Sequence, residues 1–275
     1  MPPLDVTSAI DGSPNLFHPG LDVLRSDAML KSSVQRALGV VGLRLSRISK
    51  EADAPREYIE PSLIEAAERA GVYVGDYAEQ RWGEVGRSRS IVETLYKPRL
   101  NKESVVLEVG PGTGMFATKV LEHIPAGTMH LYEIDPYWKR FLLRMLGSDS
   151  RVHMHETNGY SYDDLSDESI DLYHANGVFV YTPHLVTCRN LVEAVRVTRL
   201  GGTIAFDFFD MEEAPQIFEF VQLNAFPRPQ EHWKLNSLSF LKSFMETMGC
   251  TLETTHQVKY ANFHSLYSVF RKCGS

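Results

Sequence analysis

One run constrains this chain more than any other: Val105-Val106-Leu107-Glu108-Val109-Gly110-Pro111-Gly112-Thr113-Gly114. Apolar, β-branched residues end at an acid and meet three glycines at alternate positions, followed by the helix-prone stretch Met115 to Leu121. The pattern predicts a buried parallel strand, a tight turn and a helix start. Glycine is needed where the backbone turns sharply and where a ligand must approach the main chain without meeting a Cβ. A ligand site is therefore expected here, with Glu108, Gly110, Gly112 and Gly114 as candidates.

Spacing decides the kind of ligand. A dinucleotide-binding G-x-G-x-x-G would need its third glycine at Met115, and a phosphate-binding P-loop would need Gly-Lys-Ser/Thr after four spacers; neither is present. The pattern E-x-G-x-G-x-G, with Glu108 closing the strand, resembles the first motif of class I S-adenosylmethionine-dependent methyltransferases. The resemblance implies S-adenosyl-L-methionine as cofactor. Its amino-acid end carries an ammonium and its sulfur a positive charge, which suit a carboxylate beside close-packed glycines better than they suit a phosphate cradle.

The second predicted strand, Thr128 to Tyr132, runs into Glu133-Ile134-Asp135-Pro136. An acid about 20 positions after the glycine turn is placed to accept ribose hydroxyls. Glu133 takes that role, while Asp135 before Pro136 reads as the N-cap of a helix over Tyr137 to Leu146. The family commonly sets an aspartate near the adenine where this chain has Asn158-Gly159, which leaves Asn158 as an amide replacement.

Further along, strand patterns at Val152 to Glu156, Ile170 to Ala175 and Thr203 to Phe209 alternate with a helical pattern over Leu185 to Arg199, which Gly201-Gly202 should end. Ser237 to Met248 reads as helix, and Val258 to Phe263 with Leu266 to Lys272 as closing antiparallel strands. The expectation is an α/β fold: a Rossmann-like, doubly wound, mostly parallel sheet with an antiparallel C-terminal strand and an N-terminal helical extension. The resemblance covers roughly Ser90 to the C-terminus, with Ser169 to Leu172 and Arg196 to Gly202 matching later motifs of the family.

Two domains of unlike character are expected. Residues 1–60 form a proline-containing tail and an amphipathic segment, Ala28 to Lys50, in which Leu30, Val34, Leu38, Val41, Leu45 and Ile48 recur at helical spacing among Lys31, Arg36, Arg44, Arg47 and Lys50. This stripe either covers the protein's own core or makes a peripheral membrane or protein contact through 28–50. Residues 61–275 form the methyltransferase domain with its N-terminal helical cap. In the cap, Ser62 and Glu65 are spaced as a capping box, and Tyr77 and Trp82 either lie over the cofactor, where a sulfonium attracts aromatic faces, or pack the cap onto the core.

The chain of 275 residues has a formal net charge of −7, which opposes nucleic-acid binding because such an enzyme needs a positive footprint. Its three cysteines form no metal-ligand spacing, and no metal is expected. With no run long enough to span a bilayer and no secretory signal pattern, a cytoplasmic location is expected. Oligomeric state is not indicated.

The acceptor should meet the loops after the fourth and fifth strands, since ligands bind beyond the carboxyl ends of parallel strands. The fourth loop, His174 to His184, lacks the Asn/Asp-Pro-Pro-aromatic signature by which many methyltransferases hold a planar amine. Transfer to an alcohol needs a base, and histidine suits neutral pH. His174 and His184 are candidates, with Asp207 and Asp210 as bases, orienting groups or hydroxyl ligands; each also has a structural reading, His174 in the core and His184 and Asp210 as helix caps. A narrower resemblance links Tyr77 to Gly83, Leu107 to Gly114, Tyr132 to Trp138 and Asp171 to Tyr181 to bacterial methyltransferases of glycan or secondary-metabolite biosynthesis. Val40 to Ile48 is similar to leaders of some polysaccharide-modifying enzymes. O-Methylation of a hydroxyl on a sugar, glycan or small metabolite is the leading expectation. N- or C-methylation of a natural product, or a non-catalytic methyltransferase-like binding subunit, are the alternatives.

Overall fold

Strand β1 (Val105–Val109) lies where the apolar run predicts it, between β2 (Thr128–Tyr132) and β4 (Ile170–Ala175), parallel to both. The computed structural model describes residues 61–224, 233–260 and 263–274. The expectations for 1–60, including the amphipathic segment 28–50, lie outside the described residues.

Among the described residues three helical elements precede β1: α1 (Pro61–Ala70), α2 (Val74–Trp82) and α3 (Arg87–Ile91), the last continuing through a π turn (Val92–Tyr96) and a 3-10 turn (Lys97–Arg99). α1 is described from Pro61, which places Ser62 and Glu65 within it. After β1 come α4 (Met115–Leu121), β2, α5 (Pro136–Leu146), β3 (Val152–His155), β4, α6 (His184–Val197) and β5 (Thr198–Asp210). The chain closes with α7 (Ala214–Asn224), the two-residue β6 (Leu235–Asn236), α8 (Leu238–Thr247) and the hairpin β7 (Cys250–Tyr260) and β8 (Phe263–Lys272).

Among the described residues the sheet has eight strands in the order β3-β2-β1-β4-β5-β8-β7, with β6 pairing β5. β8 is antiparallel to β5 and to β7; the pairs joining β1 to β5 are parallel. Strand order reverses between β1 and β4, which opens a crevice at their carboxyl ends. Alternation divides the core into two layers. Val106 turns to the face packed by α1 to α5, with Phe116, Val120, Met129 and Leu142. Leu107 and Val109 turn to the other face, with Tyr173, Leu191, Phe206 and Leu241. Burying each such side chain contributes roughly 1.5–3 kcal/mol, so β1 is anchored from both sides.

Two local expectations need correction. α6 ends at Val197, and Gly201-Gly202 lie inside β5 at an irregularity where pairing with β4 skips from Ile170↔Thr198 to Leu172↔Thr203. A Cβ on Gly202 would sit 3.1 Å from the Asp171 carbonyl oxygen, so this glycine serves a close backbone approach and not a helix end. β7 begins at Cys250, eight residues before the predicted Val258; a register shift between Leu252 and Thr254 breaks the period-2 pattern there, as a bulge does. α7 carries no expectation from the sequence, because no clean polar face marks it: Phe218 is 68% exposed on its solvent side.

Candidate active site

The glycine turn leaves β1 at the crevice. Gly110, Gly112 and Gly114 all have positive φ, at 60°, 51° and 74°. Their surroundings differ. A Cβ on Gly110 would come within 2.7 Å of Val178 Cγ2, so this glycine lets the loop after β4 close against the turn. A Cβ on Gly112 would meet nothing nearer than the Gly110 oxygen at 4.0 Å, so its backbone faces open space, as a ligand-facing position should. Gly114 stands directly before α4 as its left-handed N-cap.

Glu133 reaches this turn from the end of β2. Its Oε2 accepts the Gly112 N–H at 2.9 Å and its Oε1 the Asp135 N–H at 2.8 Å. Burial raises its pKa, against the pull of these bonds. A carboxylate has about four lone-pair sites, so two such bonds leave acceptor capacity for ligand hydroxyls. Asp135 caps α5 as expected, accepting the Tyr137 N–H at 2.8 Å. Next to Glu133, Ile134 is 63% exposed, and a Cβ on Gly159 would sit 2.9 Å from its Cδ1. This apolar surface beside the acid was not singled out in the sequence, although its position directly after Glu133 is the signal. Asn158 is committed to its own loop: Oδ1 accepts the Tyr160 and Ser161 N–H groups, and Nδ2 donates to Ser161 Oγ at 2.7 Å.

The helical cap touches the turn through a different aromatic from the two expected. The Tyr73 hydroxyl donates to the Thr113 carbonyl at 2.7 Å. Gly75 brings α2 against Met115, where a Cβ would come within 2.7 Å of that residue's own Cβ. Tyr77 and Trp82 are half-buried and pack against the core layer on this side.

Glu108 and His174 face each other beneath the turn, in register on β1 and β4. Both are buried, and His174 Nε2 lies 4.0 Å from Glu108 Oε2, longer than a hydrogen bond. Neither atom has another hydrogen-bond partner. On the far side of the imidazole, Asn176 donates from Nδ2 to Nδ1 at 2.8 Å while its Oδ1 accepts the Tyr96 hydroxyl at 2.6 Å. The Tyr96 and His174 ring centroids are 4.9 Å apart. Burial pushes His174 down to about 3 and holds Glu108 well above the carboxylate range, with Glu133 adding to the latter.

The other acceptor-side candidates fall into two groups. Asp207, fully buried on β5, accepts the Gly177 N–H at 2.6 Å through Oδ1 and the Ser265 hydroxyl through Oδ2. It ties the loop after β4 to the closing hairpin. Asp210 accepts the N–H groups of Glu212 at 3.1 Å and Leu238 at 3.2 Å, joining the end of β5 to the start of α8. His184 is exposed at the first position of α6. Asn236, whose Nδ2 donates to the Phe179 carbonyl, presents Oδ1 to His184 Nδ1 at 2.8 Å. The proton is thereby placed on Nδ1, and Nε2 keeps its lone pair, with the Cys188 thiol 3.8 Å away. Since Asn236 pairs with Asp210, His184 stands at the carboxyl end of β5.

A groove of about 360 Å³ runs between the loop Gly83 to Arg87 and strand residues His256 to Lys259, with Ser90 and Ile91 in its wall. Arg87, from that wall, is among the charges that act on Asp207 of β5. Among the described residues no cluster of ligating side chains suits a metal ion, and no helix is long and apolar enough to cross a membrane.

No protein-family model and no curated protein matches this chain in sequence. Solved structures are similar in fold. An S-adenosylmethionine-dependent methyltransferase of Methanosarcina mazei aligns with a TM-score of 0.56 at 12% identity, over 66% of this chain and 98% of that one. A Pyrococcus horikoshii OT3 protein aligns with a TM-score of 0.54 at 18% identity, over 68% and 90%. An O-methyltransferase family protein from Burkholderia thailandensis aligns with a TM-score of 0.53 at 12% identity, over 82% and 68%. The chain has the fold of class I S-adenosylmethionine-dependent methyltransferases.

Proposed function

We propose that this chain is an S-adenosylmethionine-dependent methyltransferase acting on a hydroxyl of a sugar, glycan or related small metabolite. The observation that carries the reading is the convergence of Glu108, the open Gly112 backbone and Glu133 at one turn beside the strand-order reversal. The residues fit the cofactor: Glu108 offers a buried, unpartnered carboxyl oxygen to an ammonium, Glu133 offers spare acceptor sites to ribose hydroxyls, and exposed Ile134 offers an apolar face to the adenine. Asn158 shapes the loop against Ile134. Tyr77 and Trp82 ride on α2, which abuts the head of α4 beside the turn.

S-Adenosylmethionine supplies an electrophilic methyl on a sulfonium; the protein aligns the acceptor with it and excludes water. His184 is the preferred base, because Asn236 leaves its Nε2 lone pair available in an exposed ring. His174, buried and depressed to about 3, suits holding Glu108 better than taking a proton. Asp207 and Asp210 brace the loops that carry the acceptor. The groove with Glu84, Arg87 and Ser90 in one wall offers polar groups that could meet a hydroxylated acceptor.

Isothermal titration with S-adenosylmethionine tests the cofactor site. Wild type should bind, Gly112→Val should not, and Glu133→Ala should bind more weakly. Unchanged affinity in both folded variants refutes the assignment. A structure with S-adenosylhomocysteine and any co-purified acceptor would test the hydroxyl reading.

A further inference from the structure

Glu108 is 1% exposed, and its Oε2 has no hydrogen-bond partner. The groups that act on it are Glu133 from the end of β2, His174 from β4, Tyr73 from the segment before α2 and Tyr96 from the π turn. None of these four carries a fixed positive charge. Ionising a carboxyl among them, beside a second acid and out of contact with water, is unfavourable. His174 cannot relieve this as a cation, because burial keeps it neutral well below neutral pH. It can relieve it as a donor: Asn176, anchored by the Tyr96 hydroxyl, occupies Nδ1 and so sets the N–H on Nε2, the nitrogen that faces Glu108.

We propose that ligand binding at the glycine turn is proton-linked: Glu108 holds a proton in the free protein and releases it to solvent when the ligand's ammonium arrives, with His174 and Asn176 as positioning residues. This rests on the cofactor reading above. The neutral carboxyl becomes a carboxylate paired with the ammonium, the freed proton passes to the buffer, and His174 Nε2–H closes on the oxygen it faces at 4.0 Å. Burial and the neighbouring Glu133 both raise the free Glu108 carboxyl above its ordinary range, the direction that a proton held before ligand binding requires.

The same arrangement makes Tyr96, Asn176 and His174 a hydrogen-bonded line from the loop after β4 to the cofactor's amino-acid end. Asn176 immediately precedes Gly177, whose N–H is held by Asp207.

Titration calorimetry at pH 7 in phosphate and in Tris, whose ionisation enthalpies differ, counts the protons released. S-Adenosylhomocysteine, which carries the ammonium, should release about one proton from wild type and none from Glu108→Gln. Methylthioadenosine, which keeps the adenosine and lacks the ammonium, should bind with no release. His174→Phe should move the pH midpoint of release upward by about one unit while leaving methylthioadenosine affinity unchanged, because only the carboxylate loses a donor. Should that variant not fold, Asn176→Ala, in the loop, must give the same shift. Equal proton counts for the two ligands, or none for either, overturn the proposal. In the ligand-free protein at pH 7, infrared spectra should show a protonated-carboxyl stretch that Glu108→Gln abolishes, and its absence overturns the proposal whether or not the cofactor reading stands. Failure of both nucleosides to bind overturns the cofactor reading and the linkage with it.

Discussion

The two sides of the crevice use polar residues in opposite ways. On the β1–β2 side, acids are left with unspent capacity: Glu108 Oε2 has no partner, and Glu133 holds two backbone N–H groups with lone pairs to spare. On the β4–β5 side, Asp207 and Asp210 both serve as structural acceptors, while exposed His184, with Asn236 on its Nδ1, turns Nε2 towards the Cys188 thiol. The first side leaves acceptor capacity at strand ends, as the proposed cofactor socket requires. The second is a set of loops braced against each other by two buried acids, with one exposed histidine beside them. A side chain's type alone does not assign it to binding or bracing; the number of its lone pairs already taken does.

The largest expected effect lies on the braced side. If His184 is the base, His184→Gln lowers the single-turnover methyl-transfer rate by about 10²–10⁴-fold with cofactor affinity kept. A wild-type rate moves the base elsewhere and favours an amine acceptor, which can attack before losing a proton.

Next comes Asp207→Ala, which strips acceptors from the Gly177 N–H and the Ser265 hydroxyl inside the core. A stability loss of about 2–4 kcal/mol is expected in urea unfolding. A loss below about 1 kcal/mol would mean that Asp207 is not a brace, and would return it to the list of catalytic groups.

Glu133→Ala should show the reverse behaviour: a loss of charge-assisted hydroxyl binding of roughly 1.5–3 kcal/mol, or about 10–100-fold in Kd, with less damage to the fold. Tyr73→Phe removes one hydrogen bond to the turn, worth about 1 kcal/mol, and should lower the melting temperature slightly. If it instead abolishes cofactor binding, the cap is part of the socket.

A pH series sharpens the contrast at the buried pair. His174 falls from 6.5 to about 3 on folding, so the unfolded chain takes up its proton first. Its contribution is present above about 6.5 and is lost as pH falls towards 3. His174→Phe should therefore lose less stability than wild type across that window. Glu108 has the opposite sign: its raised pKa favours the fold at acid pH, and that advantage disappears as pH rises through the raised value. Glu108→Gln should accordingly melt higher than wild type at pH 7 and equally at pH 4.

The glycine turn was largely legible because its determinants are contiguous. Glycines, strand and acid sit within one ten-residue run, and Glu133 follows the next strand. Asp135 with Pro136 announced its cap for the same reason. Ile134, Tyr73 and Asn176 were not singled out, since an apolar residue, a tyrosine and an asparagine carry no signal until the neighbour each one meets is known. The hairpin's first half was hidden by a bulge, and Gly201-Gly202 misled because a helix end and a strand irregularity call for the same residue.

By itself the sequence determined the order of strands and helices from β1 to β5, the glycine turn and the two acids at its strand ends. Those depend on backbone conformation and hydrophobic period, which are local. Only the tertiary structure decided that Glu108 meets His174, that Asp207 is consumed by Gly177 and Ser265, and that Asn236 fixes the tautomer of His184. Hydrogen-bond saturation and desolvation belong to pairs of groups far apart in the chain, and they exist only once the strands are laid side by side.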